Sequence, residues 1–140
     1  MTVALMAVVI LAASLAALLQ FFGIYCRSLI AASVAQPLSP EIQEVTGITS
    51  GAAGPEDFPR VVQLLRLCPD FSNDRQQLSA IRLYFWLVKS ARWTLASLLP
   101  DVRSWAETQL AQCAYFAAVA LDHRVSSSRT ALAAQMHDSR

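Results

Sequence analysis

Apolar residues dominate the start of the chain: between Val3 and Phe22 only Ser14 and Gln20 are polar, and no charged side chain appears before Arg27. A helix of about 20 residues rises about 30 Å, the thickness of a bilayer's hydrocarbon. With no polar stripe to meet water, the segment does not read as the core helix of a soluble domain. Cleavable signal peptides carry a basic n-region and an apolar core of about 7 to 15 residues. This stretch lacks the first and exceeds the second, so the pattern predicts a retained transmembrane helix. Residues 28–35 stay largely apolar up to Pro37, which extends the helix past the headgroups and gives a first unit over residues 1–35. Tyr25 and Arg27 stand where an interfacial aromatic and a snorkelling cation anchor a span. The alternative is a secreted helical adaptor released after Ala35, following the small-residue pattern Ser33-Val34-Ala35.

Residues 36–57 read as a linker, with three of the six prolines and three of the four glycines. Ser39-Pro40-Glu41 predicts a short helix capped by Ser39, with Gly47 at its end. Gly51 to Gly54 is expected to be flexible. Helical periodicity returns at Phe58, Val61, Val62, Leu64, Leu65 and Leu67, closed by Pro69. Asn73 or Asp74, answered by Gln76 or Gln77, offers a capped start to a long helix reaching Leu99. Pro100-Asp101 breaks it, and Asp101 can cap a last helix from Val102 to Val125, ahead of a polar tail over 126–140, helical in part. Two long helices so closely joined are expected to lie antiparallel. The expected fold class is all-α: an N-terminal transmembrane helix, a linker, and a helical domain over 58–125 built on that hairpin and one short helix.

Within the first long helix, Leu78, Ile81, Phe85, Val88, Leu95 and Leu99 form a seam interrupted by Arg92. Arg92 must either sit at the edge or pair with an acid from another helix, because a lone buried guanidinium is too costly. Arg75, Arg82 and Lys89, seven apart, make a basic stripe that suits a membrane interface or a partner. In the last helix Ala114, Ala117 and Ala118, with Trp105 beside them, read as a smooth partner-binding face.

Composition sharpens this picture. Hydrophobic residues make up 55% of the chain and charged residues 15%, below the roughly 25% of soluble domains. Residues 36–74 hold two bases against six acids, while 75–140 hold eight bases against four acids. The acidic stretch either folds back on the basic helix or leaves it for a partner. A net charge of +1 and isolated tryptophans argue against nucleic acid.

Candidate chemistry is sparse. Cys26, Cys68 and Cys113 have no C-x-x-C spacing and read as buried thiols, with a Cys68–Cys113 disulfide as the alternative. His123, Asp122 and Cys113 are the only candidates for an enzymatic or cofactor-carrying site. His123 lacks a second helical histidine, and Asp122 points about 100° away on a helix. Serines 126–128 lack a nucleophile-elbow context. No catalytic, cofactor-binding or metal residue is therefore assigned, and no small-molecule substrate is evident. The expected role is that of a single-pass accessory or scaffold subunit in the lipid bilayer, binding other membrane-protein subunits or its own copies. Arg27, on the C-terminal side of the span, puts the helical domain on the cytoplasmic side by the positive-inside rule.

Overall fold

The computed structural model describes residues 1–49, 53–69, 72–95 and 97–138, apart from the side chains of residues 72 and 73. Gly51 and the capping side chain of Asn73 lie outside that description. Among the described residues the chain is all-helical: α1 (Thr2–Val34), α2 (Pro40–Thr46), α3 (Asp57–Leu67), α4 (Ser72–Leu95) and α5 (Pro100–Asp138).

The 33 residues of α1 form one unbroken helix about 50 Å long. Its two halves have different surroundings. Side chains up to Phe21 are exposed, whereas Phe22, Cys26, Leu29, Ile30 and Ser33, spaced by three and four, enter or line the core. The Ser33 hydroxyl is satisfied locally, donating to the Ile30 carbonyl at 2.7 Å. The most apolar 18-residue window is 0% buried, and by length and composition α1 can cross a membrane.

All the other helices pack on α5. The sequence explains why: Ala106, Cys113, Ala114, Ala117 and Ala118 are fully buried along it, and small side chains let neighbouring helices approach closely. The expected partner face is thus corrected. Ala114, Ala117 and Ala118 are each 0% exposed and serve packing inside the chain, while Trp105 is the one member of that set left exposed.

Along α4, Ile81, Tyr84, Phe85 and Val88 are buried, and Phe85 stacks on Phe58 of α3 with ring centroids 4.2 Å apart. Tyr84 donates to Gln109 Oε1 at 2.9 Å. Arg92 pairs with Glu107 at 3.1 Å and Asp74 with Arg124 at 3.7 Å, so contacts between α4 and α5 occur in opposite order along the two helices. Arg92 meets an acid of the other helix while remaining 34% exposed, which combines the two options left open for it. Past Val88 the seam leaves the core: α4 stops at Leu95, and Leu95 and Leu99 are exposed.

The connection between α1 and α3 is less of a linker than its composition suggests, since Leu38, Ile42 and Ile48 are buried. Gly47, at φ +69°, closes α2 in the left-handed region where glycine carries no Cβ penalty. Ser39 occupies the N-cap position, but its hydroxyl does not cap α2; it donates to Asp122 instead, a stronger charged acceptor. The last helix runs to Asp138, well beyond Val125, because no proline or glycine follows Pro100 to stop it.

Candidate functional site

A basic groove lies where α3, α4 and α5 meet. Its floor is Arg124, whose side chain is 3% exposed. Arg124 falls seven residues after Ala117 and three after Leu121, on the buried face of α5. Its Nη1 donates to the Leu65 carbonyl at 3.0 Å, near the C-terminal end of α3, where carbonyl dipoles favour a cation. Its Nε lies 3.7 Å from Asp74 Oδ2. Packing of α3 against α5 thus holds a guanidinium that binds the two helices together.

Above this floor the groove encloses about 380 Å³ and is lined by Arg66 of α3, Arg75 and Arg82 of α4, and the apolar Val62 and Leu78. Two members of the basic stripe therefore join two arginines from other helices. Lys89 does not join them. Its Nζ sits 5.3 Å from the Trp86 ring centroid and 6.0 Å from that of Phe85, a cation–π position farther along α4. Arg66 and Arg82 are exposed, so the groove can receive carboxylates or another anionic group, and salt would screen the attraction.

Other candidate residues are not assembled into chemistry. Both carboxylate oxygens of Asp122 accept from Ser39, while His123 is exposed on the rim of a separate groove with Asp74 and Gln77. All three cysteines are free, so Cys68 and Cys113 do not pair. Cys68 is half-buried rather than buried. Burial, with a smaller contribution from neighbouring Cys26, pushes the Cys113 thiol up to about 12, which keeps it protonated and inert. Among the described residues no group of three or more His, Cys, Asp or Glu side chains is placed to hold a metal ion. Tyr25 and Arg27 are both exposed at the level where α1 joins the domain.

Sequence reading missed Arg66 and Arg124 as companions of Arg75 and Arg82. A signal for Arg124 was present in its helical spacing from the buried alanines; nothing local linked Arg66 to the same place. Glu41, one of the acids expected to fold back, meets Arg129 on α5 at 2.6 Å. Comparison with protein-family models, curated proteins and solved structures found no match for this chain.

Proposed function

We propose that the chain is a single-pass membrane accessory or scaffold subunit that acts by binding other proteins of a membrane assembly. One observation carries the reading: the apolar half of α1 is wholly unburied, while the other half of the same helix is built into the core of the helical domain. Anchor and domain are in effect one body. Release after Ala35 would strip Cys26, Ile30 and Ser33 from the core, which supports a retained span over a secreted adaptor. The domain then sits on the side marked by Arg27, cytoplasmic by the positive-inside rule.

With the alanines used internally, the partner-facing surface is the groove of Arg66, Arg75 and Arg82, and an acidic segment of another subunit fits it. Charged grooves of this kind steer and select partners more than they add raw affinity. Extraction in mild detergent followed by native electrophoresis tests the proposal. The chain is expected to comigrate with other proteins, and a variant carrying Arg66→Glu and Arg82→Glu, both exposed positions, is expected to fold normally and lose them. Migration of the intact chain only as a free monomer would overturn it.

A further inference from the structure

Large apolar side chains stand exposed around the α4–α5 turn, among them Trp86, Trp93, Leu98, Leu99 and Trp105; Trp93 is 88% exposed. Direction and length say what covers them. The Phe22 ring of α1 meets the Tyr84 ring of α4 at 6.5 Å, and one turn farther along α1 Cys26 Sγ lies 3.9 Å from the Ala80 carbonyl. The helices therefore run oppositely, and moving along α1 towards Thr2 is moving along α4 towards Leu95. Beyond Tyr84, α4 continues for eleven residues, or about 16 Å. Every α1 side chain up to Phe21 is exposed, so α4 diverges from α1 as it goes, and only part of that length advances along α1.

A span needs about 20 residues. All of α1 ahead of Phe22 is then used by the bilayer, whose boundary falls near the level of Phe22 and Tyr84. The α4–α5 turn lies past that level, on the lipid side. Its composition suits the zone between headgroups and acyl chains, where indole rings with a polar N–H concentrate and Lys89 can snorkel. Arg92 and Arg103 both meet Glu107, at 3.1 and 3.5 Å, which offsets charge there. Asp101, in the first turn of α5, is favoured by the helix dipole but keeps the turn out of the hydrocarbon centre.

We infer that the α4–α5 turn inserts into the headgroup–acyl boundary of the leaflet from which α1 emerges, an inference that rests on α1 being a span. The chain supplies its own probe, because Trp86, Trp93 and Trp105 are its three tryptophans and all belong to this region. The full chain, and a Trp86→Phe/Trp105→Phe variant that leaves Trp93 alone, would be reconstituted in phosphatidylcholine vesicles with plain or brominated acyl chains. Flotation is read first, then tryptophan emission. Expected are flotation, a blue-shifted emission that loses most of its intensity in brominated vesicles, and little quenching by aqueous iodide. Failure to float would overturn the span and this inference together. Flotation with strong iodide quenching overturns insertion alone, as does shielding from both quenchers, which would mean that protein covers the turn. The wild-type chain, read in parallel, separates these outcomes from a folding defect in the variant.

Discussion

Ser39 meets Asp122 twice: its backbone N–H donates to Oδ2 at 3.0 Å and its hydroxyl to Oδ1 at 2.7 Å. The pair fastens the segment between α1 and α2 to α5, across 83 residues of sequence. Hydrogen bonds to a charged group are worth about 1.5 to 3 kcal/mol each before allowance for partial exposure. Asp122→Ala is therefore expected to destabilise the domain by about 2 kcal/mol, and Asp122→Asn by less. Loss of protection of Cys113 against a thiol reagent during heating would report it.

Burial of the α5 alanines makes a second expectation. Ala118→Leu adds volume where the side chain is 0% exposed, and overpacking costs about 1 to 3 kcal/mol. The isolated chain should melt earlier, whereas Ala131→Leu, on the exposed end of α5, should stay within about 0.5 kcal/mol of wild type. A normal melting curve for Ala118→Leu, joined with loss of partners, would return these alanines to an intermolecular interface.

Alkali should weaken the fold. Burial raises Cys113 from the ordinary 9.0 to about 12 and Tyr84 from 10.0 to about 12, so the folded chain holds protons that the unfolded chain has released. The contribution is fully present below pH 9 and is lost as pH climbs towards 12, by about 1.4 kcal/mol per unit for each group in its window. Denaturant midpoints measured at pH 8, 9.5 and 10.5 should fall in that order. A Cys113→Ala variant should show a shallower decline.

Thiol labelling at pH 8 gives a separate check on the core. Half-buried Cys68 should react in the native protein, while Cys113 should stay unmodified until denaturant is added. Equal rates at the two positions would contradict the packing of α5.

Much of this architecture was legible because apolar spacing and helix breakers are local signals. Pro37, Gly47, Pro69 and Pro100 each lie within three residues of a helix end, and Ile81, Phe85 and Val88 turn inward as their period requires. The reach of α5 was not legible in the same way, since "SSSRTALAAQMHD" has no apolar stripe and is helical through propensity and the lack of a breaker. Ala114, Ala117 and Ala118 illustrate a deeper ambiguity: a smooth helical face looks the same whether the helix that approaches it belongs to the same chain or to another. The groove was half visible, as Arg75 and Arg82 share one helix, but Arg66 and Arg124 reach it only through the packing of α3 on α5.

The continuity of α1 gives the chain a mechanical property. Nothing interrupts the helix between its lipid-suited half and the half locked among α4 and α5, so it behaves as a stiff shaft with the domain fixed to one end. Spanning helices tilt by about 20° on average and adjust that tilt to bilayer thickness. With α1 spanning as proposed, a thinner bilayer makes the shaft lean, and the domain, unable to pivot at a hinge, turns through the same angle. The Arg66, Arg75 and Arg82 groove would then face a different direction, making membrane thickness a setting that aims the proposed binding surface.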